Sequence, residues 1–391
     1  MGKVSYRPKD RKAGAHNGID HTEVKLFLFF FIVYSLFVHW AGWNEYSRFD
    51  LTRAIVDEGR LEIDTYRNNT GDSSHYKGHY YSDKAPGMSF LAVPAYFFSK
   101  QIFSDHSTPV YITDNFTFQK NVYEDYNLTK TVNLTAHIFS TTNLFPSVLE
   151  LNSMFLATIF TSVLFSSLGV VLIYRLSRFF IVNDHQRIFA AFVYGLGTLV
   201  FPYATVFFEH STAAFFAIAS FYFIFTQQKK ADGKKFLIAG ALAGIGMTVS
   251  YVNFLVALPM VIYTAFVFRK KLPAVLSPLG AGLVLGLAPL IIYNVLIFGN
   301  VTETGYNHVT LSEKPVKILL FDPLPSEQGK IGRVVTLFNV KPLQLGAVLP
   351  RLLFMPYRGL FFYYPVLFFS IAGLYWMRIK KSLMRMILLR L

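Results

Sequence analysis

The sequence predicts an all-α membrane protein, a polytopic bundle of about 8 transmembrane helices, from three observations. First, 53% of the 391 residues are hydrophobic and only 15% are charged, which is too apolar for a soluble domain of this length. Second, apolar stretches near the length that crosses a hydrocarbon core of about 30 Å recur along the whole chain. Third, Lys and Arg cluster in connections that all fall on one side of such a bundle.

One membrane domain is expected over residues 1–391, because the predicted spans leave no room for a soluble domain. The first span follows a basic tail at residues 1–23 and lacks a small-residue cleavage pattern after it. We therefore interpret it as a retained helix and not as a signal peptide. The predicted spans are residues 24–43, 149–175, 188–208, 211–227, 235–251, 253–268, 273–298 and 359–377.

Basic residues set the predicted orientation of these spans. With a cytoplasmic N-terminus, the basic groups at residues 3–25, 175–187, 229–235, 269–271 and 378–390 all face the cytoplasm, as do both termini. We expect a multi-pass protein of the cell membrane. The formal charge of +14 then reflects topology. No nucleic-acid partner is expected, because no soluble basic face with exposed aromatic residues remains.

Two long segments lie outside the cytoplasm in this topology, residues 44–148 and 299–358. Within the first, the apolar stretch 86–103 is too short for a full span and is predicted to form an interfacial or re-entrant helix. All the Asn-x-Thr sequons fall in these outer segments, at Asn68, Asn115, Asn127, Asn133 and Asn300.

The glycines and the possible metal ligands, Cys and His, each lead to an expectation. The glycines at positions 240, 244, 246, 280, 282 and 286 are predicted to permit close helix packing. The chain has no cysteine, which excludes thiolate catalysis and cysteine-ligated zinc. His75 and His79 would form a metal pair only on a helix, and Gly78 argues against one. A divalent metal is possible but not predicted, and no cofactor is required.

The first polar block follows the first span, at residues 44–59, and is predicted to form an amphipathic helix at the outer surface that ends at Gly59. Glu45 lies nearest the membrane, where a carboxylate is costly unless it faces a wet cavity or a partner such as Arg48. Asp50 follows on the same helix. For both carboxylates, a solvated helix with ordinary ion pairs is the alternative.

The second polar block precedes the interfacial helix, where polar and aromatic residues such as Tyr81 and Asp83 crowd against its start. Lys84 stands where it could meet the phosphate of a lipid headgroup, a role that suits a compact ammonium. The alternative is an interfacial lysine that snorkels from its helix with Asp83 as its neighbour.

Two further groups are predicted at the outer boundary. Glu209 and His210 form an acidic residue and imidazole pair at the turn between two Phe-rich spans, and ionisable groups at such depth are candidates for function. The alternative is that this pair only caps the turn. Arg351 and Arg358 lie near the outer end of the last span, where a guanidinium suits a phosphate or a simple interfacial anchor.

Together these blocks resemble the GT-C superfamily of polyprenyl-phosphate-sugar-dependent glycosyltransferases, particularly the branch of protein O-mannosyltransferases and the lipid A aminoarabinose transferase. That branch has an acidic residue after the first span, matched by Glu45. It then has an acidic-Lys-Pro-like element before an interfacial helix, matched by residues 83–86, and a second outer acidic residue at the fourth span, matched by Glu209. Mannosyltransferases commonly carry an Asp-Glu pair in the first motif, whereas Asn44 precedes Glu45 here, so Asp50 stays a rival.

The resemblance implies a GT-C fold and an inverting transfer of sugar from a lipid-linked phosphate donor. By resemblance, Glu45 is the base that activates a hydroxyl on a protein, glycan or lipid acceptor, Lys84 binds the donor phosphate, and Glu209 is a supporting carboxylate. Arg358 would assist Lys84 in offsetting the charge that develops on the leaving phosphate.

A non-enzymatic transporter or flippase of a lipid-linked sugar is the main alternative. Such proteins commonly show internal repeats and ionisable or broken helices near mid-membrane. No internal repeat is evident, and the polar blocks lie at one membrane face, which favours a one-sided reaction.

Overall fold

The computed structural model describes residues 20–39, 42–103, 117–124, 127–135, 148–228, 231–309, 342–356 and 359–379. These residues are mostly helical. The helices are α1 His21–Leu36, α2 Trp43–Arg53, α3 Gly87–Ile102, α4 Val148–Thr158, α5 Leu164–Ser177, α6 Asp184–Leu196, α7 Val200–Ala204, α8 Glu209–Thr226, α9 Gly233–Val249, α10 Phe254–Val267, α11 Leu272–Phe298, α12 Pro342–Phe354, α13 Leu360–Tyr363 and α14 Phe368–Ile379.

Two helical segments in the described part of the chain are long and apolar enough to cross a membrane, Leu149–Ser177 and Arg269–Phe298. The first joins α4 and α5 through a π-helical turn, Ile159–Val163. Shorter apolar helices cover Tyr251–Val267 and Pro365–Trp376. Large apolar side chains are exposed along α10 and α11, an arrangement that suits contact with lipid. The number of membrane crossings stays a prediction.

Three predicted spans differ from the helices that form. The helix of the first predicted span ends at Leu36, and the following chain turns so that the His39 N–H donates to the Thr205 carbonyl at 3.0 Å. The span predicted at 188–208 is broken between α6 and α7, because Pro202 lacks an N–H and is accommodated in the first turn of a new helix. Pro365 interrupts the last predicted span in the same way.

Buried residues form a continuous series of packed clusters. One joins α1 to α5, α6 and α7, and a second joins α2 and α3 to α4, α8 and α9. A third packs α2 against the C-terminal end of α11, and a fourth packs α8 and α9 against α10 and α11. Helix α2 therefore belongs to two clusters and holds the outer segment on the bundle.

Glycines bring α9 and α11 into backbone contact, as predicted. A Cβ on Gly244 would lie 2.5 Å from the Leu283 carbonyl, and the Thr248 hydroxyl donates to the Gly286 carbonyl at 3.0 Å. The glycines whose missing Cβ atoms permit this contact are Gly240, Gly244, Gly282 and Gly286. Gly246 permits a close approach to Asn253 and to Phe216 of α8, whereas the prediction is wrong for Gly280, which faces open space.

The predicted helix at residues 44–59 forms as α2 followed by a π-helical turn, Ala54–Glu58, and it ends at Gly59 with a left-handed φ of 66°. It is not a solvated surface helix. Ser47, Arg48 and Asp50 are each at most 1% exposed, because α3, α4 and the outer loops cover this helix.

The all-α prediction missed two antiparallel hairpins in the first outer segment. Strands β1 Ser73–Tyr76 and β2 His79–Ser82 pair with Ser73 opposite Ser82. Lys77 and Gly78 both have positive φ and form the two-residue turn. Strands β3 Thr117–Glu124 and β4 Asn127–Thr135 form the second hairpin. The interfacial element predicted at 86–103 is α3, whereas α12 was not predicted.

Candidate active site

Helix α2 is the platform of the candidate site. Gly42 is its N-cap, and the Glu45 carboxylate accepts a hydrogen bond from the Gly42 N–H at 2.8 Å. This bond satisfies one of the free N–H groups at the helix start. Successive helical residues are rotated by about 100°, so Glu45 and Ser47 point to opposite sides of α2, with Arg48 between them.

Arg48 joins α2 to the start of α8. Its guanidinium is buried, donates to the Asn44 carbonyl at 2.8 Å, and also contacts the Asn44 side chain. It forms an ion pair with Glu209 and lies 4.8 Å from the centroid of the Phe208 ring. A buried charge without a partner is costly, so this pair fixes both side chains.

His210 lies beside this ion pair. Its Nδ1 is 3.6 Å from a Glu209 carboxylate oxygen, and its side chain is 46% exposed. The ring also packs against Tyr203 and Phe208. The predicted pairing of residues 209 and 210 is therefore present, but Arg48 is the closer partner of Glu209.

Lys84 occupies the other side of α2. Its ammonium lies 2.9 Å from carboxylate oxygens of both Asp72 and Asp83. The Ser47 hydroxyl donates to Asp83 at 3.2 Å and lies 2.9 Å from the Ser82 hydroxyl, which ties this group to α2. Two carboxylates surround one ammonium, so the local charge is negative when all three groups are ionised.

Burial affects the pKa values of both Asp83 and Lys84. It raises the pKa of Asp83 above its ordinary value, although the adjacent Lys84 ammonium favours the carboxylate. Burial opposes the charge of Lys84, yet Asp83 and Asp72 outweigh it and raise the pKa of the ammonium. Lys84 is therefore a persistent cation.

The turn from Asp83 to Gly87 fixes the position of Lys84. Pro86 is the N-cap of α3, and a Cβ on Gly87 would lie 2.5 Å from the backbone of Thr248. Only glycine permits this approach of α3 to the end of α9. The motif thus places Lys84 where α2, α3 and α9 meet.

Tyr306 has no counterpart among the residues predicted from the sequence. It follows Gly305, whose missing Cβ leaves room for the Asp83 backbone. The Lys84 ammonium lies 5.7 Å from the centroid of its ring. Its phenol interacts electrostatically with Lys84 and Asp83 and also with Glu209 and Arg48, which indicates that the two ion-paired groups are neighbours. A single tyrosine in a long outer segment gives no pattern from which this could be predicted.

Glu45 faces a narrow crevice on its own side of α2. The carboxylate is buried, at 4% exposure for the residue. The crevice is lined by Val38, His39, Glu45, Met154, Phe155, Thr158 and Phe207. Phe207, in the wall of this crevice, precedes Glu209 of the Arg48 ion pair by two residues, so the crevice lies next to that pair. That Glu45, Lys84 and Glu209 share one water-filled pocket stays a prediction.

Asp50 lies in a separate cluster. It is fully buried, accepts a hydrogen bond from the Asn69 amide at 3.1 Å, and lies 4.0 Å from Arg53. Its second carboxylate oxygen has no hydrogen-bond partner. Burial raises the pKa of Asp50 to about 8. Arg53 in turn pairs with Glu150 at 3.1 Å.

The remaining predicted residues separate from this group. Tyr81 is buried in the cluster formed by α2, β2 and α11, where its ring lies 6.2 Å from that of Phe298. Arg358 lies outside the described residues. Among the residues that the structure describes, no three His, Asp or Glu side chains are placed to hold a metal ion. His79 pairs instead with Asp64 at 2.7 Å.

The fold and the site define a class, a mostly helical membrane protein with a buried charged site at one end of its helices. Residues 143–296 match the family model of dolichyl-phosphate-mannose-protein mannosyltransferases. This match supports the predicted resemblance to GT-C glycosyltransferases and indicates glycosyltransferase activity. It includes Glu209, whereas α2 and Lys84 lie outside it. Comparisons with curated proteins and with solved structures find no match to this chain.

Proposed function

We propose that this protein transfers a sugar from a polyprenyl-phosphate donor to a hydroxyl acceptor on the non-cytoplasmic face, with inversion at the anomeric carbon. The observation that carries the proposal is the meeting of Lys84, the Arg48–Glu209 pair and Tyr306 around α2. These residues come from distant parts of the sequence, and all belong to segments assigned to the outer side. The match to the mannosyltransferase family supplies the reaction class.

Lys84 is the proposed ligand of the donor phosphate. In the structure its ammonium is bound by two carboxylates, so a phosphate must replace one of them. Asp72 is the candidate to leave, because its side chain is 32% exposed whereas that of Asp83 is 5% exposed. Departure of Asp72 would leave a neutral Lys84–Asp83 pair, whose ammonium can then donate to the leaving phosphate. Arg358, which lies outside the described residues, is retained as a second phosphate ligand because a guanidinium suits a phosphate.

Glu45 is the proposed base, with Asp50 as its rival. A carboxyl group with a pKa of about 8 is largely protonated at neutral pH and cannot accept a proton, which argues against Asp50. Glu45 borders a narrow crevice, which must widen before an acceptor hydroxyl can reach the carboxylate. Glu209 would hold Arg48 in place, with His210, Asp83 and Tyr81 in supporting roles.

The proposed step is a single displacement. The acceptor oxygen forms a bond to the anomeric carbon as the bond from that carbon to the phosphate oxygen breaks. Glu45 takes the hydroxyl proton, and the bonding electrons leave with the polyprenyl phosphate. Lys84 offsets the added negative charge on that phosphate.

Donor consumption by the reconstituted protein tests this proposal. We expect the wild type to consume at least one member of a panel of polyprenyl-phosphate sugars. Glu45→Gln and Lys84→Ala should each lower the rate by at least a factor of about 100, since they remove the base and a charge-stabilising group.

Matched controls come from the same outer segment. Lys77→Ala changes a lysine in the hairpin turn, and Glu62→Gln changes a glutamate in the loop that precedes the hairpin. Both variants should retain wild-type rates. Full transfer by both the Glu45 and Lys84 variants, in protein that is still folded, would contradict the proposal.

A further inference from the structure

Two buried tyrosine hydroxyls near Asp83 have no partner in the described part of the structure. They belong to Tyr251, at the end of α9, and Tyr293, in the last turns of α11. Both hydroxyl oxygens are inaccessible to solvent, and Tyr293 is only 2% exposed as a residue. Buried hydroxyl groups are normally satisfied by protein, water or ligand.

Both tyrosines lie near the candidate phosphate site: the Tyr251 ring contacts Tyr306, which lies against Lys84, and Tyr293 shares a buried cluster with Tyr81, two residues before Asp83. Each phenol interacts electrostatically with the Asp83 carboxylate, and Tyr293 also interacts with Tyr251. Asp83 itself holds the Lys84 ammonium at 2.9 Å. The unpartnered hydroxyls are therefore near neighbours of the group proposed to bind the donor phosphate.

Tyr306 covers this region from the outside. Its ring meets that of Tyr251 edge to face at 5.8 Å between centroids and lies against the Lys84 ammonium. The residue is 38% exposed and lies on the short turn Gly305–His308. This one side chain therefore contacts both Lys84 and Tyr251.

We propose that Tyr251 and Tyr293 form a subsite for the hydroxyl groups of the donor sugar, beneath Lys84 and with Tyr306 as its cover. The inference rests on the proposed function, because it takes the phosphate at Lys84 as the fixed end of the donor. The sugar is bonded directly to that phosphate, so its ring hydroxyls must lie within a few ångströms of Lys84. Phenol hydroxyls and the Asp83 carboxylate provide the donors and acceptors that a polyhydroxylated ring requires.

The test compares binding of two probes to the purified protein. One probe is a polyprenyl phosphate without sugar, and the other is the same lipid phosphate esterified to each sugar of a panel of hexoses and pentoses. The wild type should bind at least one sugar ester more tightly than the bare lipid phosphate. Tyr251→Phe and Tyr293→Phe should each weaken binding of that ester by about tenfold, as expected for one lost hydrogen bond, and leave binding of the bare phosphate unchanged.

Tyr194→Phe is the matched control. Its hydroxyl is also buried without a partner, but it belongs to the cluster of α1, α5 and α6. It should leave the binding of both probes unchanged. Since the Tyr251 and Tyr293 hydroxyls have no protein partner, their removal should not lower the melting temperature of the protein.

The outcomes separate the two proposals. If the wild type binds neither probe, the proposed function fails. If it binds the bare phosphate but prefers no sugar ester, or if both Phe variants retain wild-type preference, the sugar subsite is overturned while the phosphate site stands. Equal weakening of both probes together with a lower melting temperature would assign the tyrosines a structural role and would also overturn the subsite.

Discussion

At the scale of single residues, the two carboxylates of α2 have opposite surroundings. Glu45 accepts a backbone hydrogen bond and borders a crevice, whereas Asp50 is sealed in the interior with one oxygen unpartnered. A desolvated carboxyl group without full hydrogen bonding favours its neutral form. The charge state of Asp50 thus depends on pH near neutrality.

The raised pKa of Asp50 predicts how stability depends on pH. An aspartate has a pKa of about 3.9 when unfolded, and burial raises that of Asp50 to about 8, so the folded state binds its proton more tightly. This contribution is full below about pH 4 and is lost as the pH rises to about 8, at no more than about 1.4 kcal/mol per pH unit. Asp50→Asn should therefore flatten the decline of melting temperature between about pH 5 and 8.

Melting curves in detergent across this pH range check the prediction. Glu58→Gln, in the turn that follows α2, should keep the wild-type profile. An unchanged slope in Asp50→Asn would show that Asp50 is charged in the folded protein and would restore it as a rival base.

The charged residues of the candidate site could be recognised in the sequence, whereas their partners could not. Glu45, Lys84 and Glu209 stood out because ionisable groups are costly near a membrane. Asp72, Tyr251, Tyr293 and Tyr306 did not, because their importance arises only where distant segments meet. The burial of Asp50 was also unpredictable, since it depends on Asn69 and on the loops that cover α2.

At the scale of elements, the close contact between α9 and α11 positions residues of the candidate site. Thr248 and Tyr293 lie near the outer ends of these helices, so the close approach of their backbones fixes the relative positions of α3 and Tyr251. Small residues make such an approach possible in a membrane, where packing replaces the hydrophobic effect between helices.

Neighbouring glycines of α11 provide a matched test of this contact. A Cβ on Gly282 would overlap the Leu237 carbonyl, whereas Gly280 has open space around it. Gly282→Ala should destabilise the protein by about 1–3 kcal/mol through overpacking, and should lower its melting temperature. Gly280→Ala should melt at the wild-type temperature or above, because alanine favours the helix. Equal melting temperatures would contradict the assigned contact.

Elements with strong periodic or apolar signals were predicted well. Helices α8, α9, α10 and α11 lie within a few residues of their predicted bounds, and the π-helical turn that continues α2 ends at the predicted Gly59. The hairpin β1–β2 was missed because its strands have only four residues each, although Lys77–Gly78 is a recognisable turn pair. The broken helices followed from prolines that a hydropathy average does not register.

At the scale of the whole molecule, the proposal assigns separate approaches to the two substrates. The donor phosphate would reach Lys84 beside Tyr306, and the acceptor would reach Glu45 from the side of Thr158 once the narrow crevice there widens. Helix α2 lies between them, with Arg48 and Glu209 at the boundary. A single displacement therefore requires the two substrates to meet beside Arg48 and Glu209, where the acceptor oxygen can reach the anomeric carbon.

The structure of Glu45→Gln protein bound to a polyprenyl-phosphate sugar tests this account most directly. We predict a phosphate oxygen within hydrogen-bond distance of the Lys84 ammonium in the place of Asp72, with the anomeric carbon facing residue 45. A donor phosphate bound away from Lys84, or an anomeric carbon facing away from residue 45, would contradict it.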